Sequence, residues 1–276
     1  MGQLSRSPLP VPFTFSQSSL QDYSDCARRF YLRFMEQLVW PAIESEPVLE
    51  NERKRQEGEI FHRLIQQFWL GLPAKKLGEI AITANLGEWW TNFMNYDFNL
   101  GGASTFPELS LSMQIGKHRL TAKYDLVVVM DNRTTIFDWK TYKKRPREEN
   151  LAASFQTRVY RFLMVKAGGF LNSESGTIQP DKVEMVYWLA NFPNYPIRLP
   201  YSSQQFDRDE IILNNIITQI EAETDFPLTP DEKKCNYCVY RSYCDRGVSA
   251  LILQDEDESG EEFTTLDLNN VSEIEY

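Results

Sequence analysis

The placement of the four cysteines constrains this chain more than any other feature of its sequence. Cys235, Cys238 and Cys244 lie close together near one end of the 276 residues, whereas Cys26 lies near the other. Four thiolates are enough to form one metal site, and such a site would require the two ends of the chain to meet. By the loop-entropy relation used for disulfides, closing so long a loop removes on the order of 5 kcal/mol of unfolded-state entropy. The cysteines therefore predict a structural clasp between the N- and C-terminal segments.

Two disulfides are the alternative, since four cysteines can also pair with one another. The first ten residues lack the apolar run of a secretory signal, so we expect a cytoplasmic protein, in which clustered thiols more often bind metals. No apolar run approaches the length of a membrane span, and no membrane partner is expected. The spacing leaves the metal open, because zinc usually takes two close pairs of ligands and iron–sulfur clusters accept irregular spacing.

The acidic charge of the chain is concentrated in its last residues. The formal net charge is −10, and residues 255–276 contain nine Asp or Glu residues and no Lys or Arg. The rest of the chain is therefore nearly neutral, and the overall charge does not exclude a nucleic-acid enzyme. We predict one domain over residues 1–254 and an acidic, flexible tail over residues 255–276.

Hydrophobic periodicity predicts a mixture of helices and strands. The first helix should begin at a capping box formed by Ser18 and Gln21, carry Cys26 on its length and end before Pro41. Further helices are predicted over residues 52–70, 77–96, 149–166 and 206–223. A period of two predicts strands over residues 109–115, 119–130, 134–140, 182–190 and 197–201. This order of elements indicates an α/β layer fold.

Two aspartates and a lysine lie on one predicted hairpin. If Asp131 and Asn132 form its two-residue turn, Asp125 faces Asp138 with the Cβ atoms about 5 Å apart. Lys140 returns to the same face two residues later. Both carboxylates lie within hydrophobic strands, where an unpaired charge is costly, although an Asp-x-Lys on a hairpin is also common without a catalytic role. Two close carboxylates suit Mg²⁺ or Mn²⁺, and an ammonium beside them can orient or deprotonate a water, which indicates metal-assisted hydrolysis.

The remaining polar candidates are individually ambiguous. His62 lies beside the apolar stripe of its helix, either as a boundary residue or as a metal ligand, and His118 is expected to be a turn residue. Gln156 and Tyr160 share one helical face, and periodicity alone favours a surface position for them. Five basic residues form either a solvated loop or a contact for a phosphate backbone: Lys140, Lys143, Lys144, Arg145 and Arg147.

Taken together, these residues resemble the PD-(D/E)XK nuclease superfamily, and within it the RecB-like branch that carries an iron–sulfur cluster. That branch includes the AddB nuclease domain and the CRISPR adaptation nucleases. Its order is a cysteine on a first helix, a histidine on the next, an aspartate, D/E-x-K, Q-x3-Y and three clustered cysteines. This chain supplies Cys26, His62, Asp125, Asp138-Trp139-Lys140, Gln156 with Tyr160, and Cys235, Cys238 and Cys244. The resemblance covers most of residues 14–247.

This resemblance implies an α/β fold with a restriction-endonuclease-like core. A mixed central sheet would be flanked by helices, and the N- and C-terminal segments would be joined at an iron–sulfur cluster. The four cysteines would bind a four-iron four-sulfur (4Fe-4S) cluster, so the resemblance favours iron over zinc.

The resemblance also implies roles for the polar residues of the hairpin and its neighbours. His62, Asp125, Asp138 and the backbone carbonyl of Trp139 would hold Mg²⁺ or Mn²⁺. Lys140 would position the water or stabilise developing charge. The two residues of Q-x3-Y, Gln156 and Tyr160, would steer DNA and the lysine.

Two functions of different classes follow from these patterns. The first is a metal-dependent DNA nuclease, an exonuclease on single-stranded DNA or DNA ends, acting in repair, recombination or CRISPR adaptation with helicase or CRISPR adaptation partners. The second is a catalytically inactive iron–sulfur subunit that binds DNA or acts as a scaffold in a larger nuclease or helicase complex. The intact set of His62, Asp125, Asp138 and Lys140 favours the enzyme, because an inactive site has no chemical need for all four.

Overall fold

The computed structural model describes residues 9–38, 46–98, 100–172, 176–236 and 238–247. The acidic segment predicted to be a tail, 255–276, lies outside these residues. The described α-helices are α1 (Gln17–Asp25), α2 (Ala27–Phe30), α3 (Glu46–Trp69), α4 (Ala74–Thr83), α5 (Gly87–Asn95), α6 (Glu148–Ala153), α7 (Phe155–Ala167) and α8 (Ser203–Ala222), and a π-helix over Tyr31–Met35 follows α2. The described strands are β1 (Thr14–Phe15), β2 (Ser104–Ile115), β3 (His118–Met130), β4 (Arg133–Lys140), β5 (Val183–Leu189) and β6 (Ile197–Pro200). Among the described helices, none combines the length and the apolar character needed to cross a bilayer.

The described strands form one mixed sheet. The order is β1-β3-β4-β5-β6, and β2 pairs with β3 along the opposite edge from β4. β4 is antiparallel to β3 and parallel to β5, so the C-terminal ends of β4 and β5 leave the sheet at the same edge. The prediction of an α/β fold with a mixed sheet flanked by helices is confirmed, and the arrangement is consistent with a restriction-endonuclease-like core.

Helices cover both faces of the sheet and thereby bury the middle of β4. On one face, α3, α4 and α5 pack against Phe137 and Trp139. On the other, α1, α7 and α8 pack against Ile136 and the β5 residue Tyr187. Because side chains alternate along a strand, Asp138 and Lys140 point towards the α7 side, between two apolar layers.

The N- and C-terminal segments meet through direct contacts. Nε of Arg28 donates to the Phe226 carbonyl at 2.8 Å, and Nζ of Lys234 lies 2.7 Å from Oδ1 of Asp25. These contacts bring both ends of the described chain together without help from the cysteines.

The first helix is interrupted at Cys26. The sequence predicts one continuous helix, but α1 ends just before Cys26, which is extended with φ −161° and ψ 109°, and α2 begins just after it. The capping box is formed by Ser16 and Ser19 rather than by Ser18 and Gln21. The prediction of a single helix is wrong because apolar spacing continues across one extended residue and does not reveal the break.

A buried ionic network joins α7 to α8 and so fixes the helix that carries Gln156. The Asp209 carboxylate, 3% exposed, lies 2.6 Å from Nη1 of Arg158 and 3.8 Å from Nη2 of Arg161. It also accepts the Tyr201 hydroxyl at 3.0 Å. Breaking such a network by removing one partner leaves an uncompensated charge inside the protein.

Asp209→Ala is therefore expected to lower the free energy of unfolding by about 3–5 kcal/mol. Arg161, which is buried, would lose its carboxylate. Urea unfolding of the variant measures the loss. Asp207→Ala, an exposed aspartate on the same helix, is the control and should unfold like the native chain. Equal stability of the two variants would contradict the assigned role of the network.

Candidate functional site

Asp138 and Lys140 form a buried ion pair at the C-terminal end of β4. Nζ of Lys140 lies 3.0 Å from Oδ2 of Asp138, and each side chain is 3% exposed. The ring of Tyr187 lies 5.7 Å from Nζ, because the parallel register of β5 places Tyr187 beside Asp138. Removing two charges from water costs several kcal/mol per ion. Such groups are common at functional sites, where ionisable side chains are held in unusual environments.

Gln156 adds a hydrogen bond to this pair from the first turn of α7. Ser154 caps the helix, and its Oγ accepts the Thr157 N–H at 3.3 Å. The side-chain amide of Gln156 donates to Oδ1 of Asp138 at 2.8 Å. Its carbonyl oxygen lies 3.4 Å from the Tyr187 hydroxyl, which is 2.7 Å from Oγ1 of Thr157. The sequence does not identify Tyr187 or Thr157 as site residues, because it does not reveal that β4 and β5 are neighbours or which face of α7 meets them.

Tyr160 lies one turn further along α7 and is buried. Its ring centroid is 4.8 Å from that of Tyr124, and its hydroxyl is 3.4 Å from Nε2 of Gln17. The expectation of a surface position is therefore wrong for Tyr160, and Gln156 is half-buried. Apolar spacing misses this because both polar side chains lie on the face of α7 that packs against the sheet.

Asp125 lies at an interruption of the regular strand pairing. The β3–β4 ladder has the predicted register, with Leu126 opposite Phe137, but it ends there, one residue short of Asp125. Oδ2 of Asp125 instead accepts the backbone N–H of Trp139 at 2.8 Å. On the other edge of β3, the ladder with β2 omits Asp125 and Glu108, whose φ is 54°. The carboxylate thus bridges β3 and β4 through its side chain.

His62 approaches Asp125 from α3. Its Nδ1 lies 3.4 Å from Oδ1 of Asp125, and the two side chains are 29% and 18% exposed. Burial alone would raise the pKa of Asp125, but His62, the Trp139 N–H and Lys140 together outweigh it, so this pKa lies below its ordinary value. Asp125 is therefore a carboxylate at neutral pH. The partial exposure of His62 and Asp125 leaves this side of the site open to solvent.

Two of the residues predicted to bind a divalent metal, His62 and Asp125, lie beside each other, and the Asp125 carboxylate bonds to the residue that follows Asp138. Asp125 and Asp138 offer the oxygen donors that suit Mg²⁺ and Mn²⁺, and His62 adds one nitrogen donor. Among the described residues, however, no group of three or more His, Cys, Asp or Glu side chains is spaced to hold a metal ion. The chemistry of the donor set fits such a metal, while Asp138 is held by Lys140 and Gln156 in this structure.

His118 joins two parts of the fold rather than forming a turn. It begins β3 and is buried. Its Nδ1 accepts the Phe13 N–H at 3.0 Å, and its Nε2 lies 2.8 Å from Oε1 of Glu221. The prediction of a turn residue is wrong because the turn ends one residue earlier.

The four cysteines line one cavity between the N- and C-terminal segments. Cys26, Cys235, Cys238 and Cys244 are all free thiols, which does not match the disulfide alternative. Burial raises the pKa of Cys238 to about 12 and also raises the pKa values of Cys235 and Cys244. Any metal bound here must therefore displace protons. The donor set suits a thiolate-bound metal or cluster, although the thiols, like the carboxylates, are not spaced to hold a metal ion.

The basic run after β4 divides into a buried and an exposed part. Lys140 is buried in the pair with Asp138. Lys143, Lys144, Arg145 and Arg147 are exposed and follow the site directly along the chain. Exposed positive charges at this position are suited to a phosphate backbone.

The sequence model of one nuclease superfamily matches this chain over residues 14–101 and 90–245. The chain belongs to the PD-(D/E)XK nuclease superfamily. Members of the superfamily usually use Mg²⁺ or Mn²⁺. The match includes both aspartates of the hairpin and Lys140, and it extends to Cys26 and the three clustered cysteines.

Two solved structures are similar to this PD-(D/E)XK chain at low sequence identity. One is the protein SSO0001, at 15% identity and a TM-score of 0.36, covering 88% of this chain and 91% of that one. The other is a protein from Eubacterium rectale named "Putative exonuclease", at 9% identity and a TM-score of 0.47, covering 76% of this chain and 83% of that one. No curated protein matches this chain.

Proposed function

We propose that this chain is a metal-dependent DNA nuclease of the RecB-like branch, hydrolysing phosphodiester bonds in single-stranded DNA or at DNA ends. The observation that carries the proposal is the buried pair of Asp138 and Lys140, with Gln156 on the other oxygen of the carboxylate. A charged pair in this position is expensive for the fold. Membership of a nuclease superfamily supplies a chemical reason for keeping it.

In this proposal each polar residue has a distinct role. His62, Asp125, Asp138 and the Trp139 carbonyl would hold Mg²⁺ or Mn²⁺, which when bound polarises the phosphate and lowers the pKa of water. Lys140 would orient the attacking water or stabilise the negative charge that develops on the phosphate.

The two residues of Q-x3-Y would support this arrangement. Gln156 would fix the rotamer of Asp138 through its hydrogen bond. Tyr160 would hold α7 against β3 through its packing on Tyr124.

We also propose that Cys26, Cys235, Cys238 and Cys244 bind a 4Fe-4S cluster. The shared cavity and the free thiols support this assignment. The cluster would add a second clasp between segments that already touch through Lys234 and Asp25, so its role would be structural.

The biological setting that we propose is repair, recombination or CRISPR adaptation, with DNA as substrate and a helicase or CRISPR adaptation protein as partner. We propose further that residues 1–254 act as one nuclease domain. Residues 255–276, outside the described part of the chain, would be an acidic tail.

Removal of divalent metal is expected to stop DNA cleavage. We expect EDTA to lower the cleavage rate of labelled single-stranded DNA by at least about 10²-fold, because transition-state charge would lose its main stabilisation. Mn²⁺ or Mg²⁺ added in excess should restore the rate. The cleavage rates of linear and circular single strands should also be compared, with protein purified without air. Cleavage of the linear strand alone would indicate that the enzyme needs a DNA end. Equal rates with and without EDTA would contradict metal dependence.

A further inference from the structure

The loop that follows β5 presents an exposed aromatic ring beside the candidate site. The side chain of Tyr195 is 67% exposed. The loop begins where β5 ends, next to the end of β4, because these parallel strands leave the sheet at the same edge. The Ala190 N–H at its start donates to the Lys140 carbonyl at 2.8 Å. The Tyr195 ring therefore lies at the same end of the sheet as the Asp138–Lys140 pair.

Hydrogen bonds to neighbouring elements hold the start of this loop in place. The Asn191 amide donates to the carbonyl of Tyr142 at 2.8 Å, and its oxygen accepts from Nε1 of Trp89 at 2.9 Å. Asn92 on α5 donates to the Ala190 carbonyl at 2.9 Å. Because the start of the loop is already ordered, stacking of a ligand on the ring costs the protein little conformational entropy.

The basic loop after β4 lies against the same segment. Nε of Arg145 is 3.5 Å from the carbonyl oxygen of Tyr195, and Lys143 and Arg147 are exposed on the same loop. An exposed aromatic ring next to positive charges is the combination by which proteins bind single-stranded nucleic acid. The charges bind phosphates and the ring stacks on a base.

We infer that Tyr195 is a stacking platform for an unpaired base and selects single-stranded DNA or frayed ends over duplex. In the interior of a duplex both faces of every base are already stacked, so Tyr195 has no base face to contact there. Phosphates are present in both forms, so the lysines and arginines of the basic loop cannot distinguish them. This inference rests on the proposed function and names the residue that would set its substrate preference.

Binding measured without turnover tests the inference. Full-length protein purified without air is titrated into a fluorescent single strand and the matching duplex in EDTA. Tyr195→Ala is expected to weaken binding of the single strand by about 5- to 100-fold, the loss of one stacked base. Binding of the duplex should not change, and Tyr195→Phe, which keeps the ring face, should bind the single strand like the native chain.

Phe170→Ala is the matched control. Its ring is 68% exposed, but Asn172, two residues later, contacts Asn132 in the β3–β4 turn, at the opposite edge of the sheet. This variant should bind both DNA forms normally. Lys143→Ala should weaken both forms by a similar factor and reduce the salt dependence of binding.

A base analogue reports stacking directly. Fluorescence of 2-aminopurine in the single strand should be quenched by the native chain and by Tyr195→Phe, but not by Tyr195→Ala. Unchanged binding and quenching in Tyr195→Ala, or equal losses for single strand and duplex, would overturn the inference. Binding is measured in EDTA and does not require cleavage. If binding depends on Tyr195 but the chain does not cleave DNA with Mn²⁺ or Mg²⁺, the nuclease proposal fails and the stacking inference stands.

Discussion

Lys140→Met is expected to abolish DNA cleavage and to destabilise the fold at the same time. The ammonium would be lost from the site where negative charge develops, and such losses usually lower rates by a factor of about 10²–10³ or more. The substitution also leaves the buried Asp138 carboxylate without its cation, 3.0 Å away in the native chain. Breaking a buried ion pair on one side costs about 3–5 kcal/mol.

The double variant Asp138→Asn with Lys140→Met separates these two effects. With both charges removed, the site no longer contains an isolated ion, and the asparagine can still bond with Gln156. Replacing a whole buried pair is often close to neutral for stability. We therefore expect the double variant to regain most of the lost stability and to remain inactive.

Urea unfolding in EDTA measures the stabilities, and degradation of labelled DNA with Mn²⁺ measures the activities. Lys76→Met makes the same chemical change at an exposed position of α4, outside the candidate site, and should alter neither stability nor cleavage. Native-like cleavage by Lys140→Met would contradict the catalytic assignment. A double variant as unstable as the single one would contradict the ion-pair argument.

Cys26→Ser is expected to lower iron content and thermal stability together. Metal binding to a site that forms only in the folded chain contributes directly to folding. Losing this binding free energy should lower Tm by about 2–4 °C for each kcal/mol lost in a chain of this size. Protein purified without air should be brown, and the variant should be pale.

The iron-free forms provide the control for this prediction. The contact between Lys234 and Asp25 is independent of the cysteines, so iron-free native protein and iron-free Cys26→Ser should unfold at similar temperatures. Iron analysis and calorimetry on both forms measure this. Stoichiometric zinc with no iron in the native protein would contradict the cluster assignment.

Much of the fold could be predicted because the spacing of apolar residues along the chain differs between helices and strands. The helix over α7 and the strands β3 and β4 correspond to predicted elements, and the β3–β4 register was predicted from a two-residue turn. Local patterns determine such features. The interruption at Cys26 and the irregular pairing at Asp125 could not be predicted, because each depends on the backbone conformation of a single residue.

The environment of Asp138 could be predicted only in part. Spacing places Lys140 on the same face of β4, and the structure has the two side chains in contact. Gln156 and Tyr187 complete the surroundings of Asp138, and both contacts join segments that are distant in sequence. Periodicity describes one element at a time, so it could not show which face of α7 meets β4.

The most direct test of the proposed nuclease is a cleavage assay that compares the native chain with Asp138→Asn. Both proteins, purified without air and matched for iron content, are incubated with labelled single-stranded DNA and Mn²⁺. Asp181→Asn, an exposed aspartate, controls for loss of a surface charge. We predict that the native chain and Asp181→Asn degrade the DNA and that Asp138→Asn is slower by at least about 10²-fold. Equal cleavage by all three proteins, or none by the native chain, would contradict the assignment of this site as a nuclease active site.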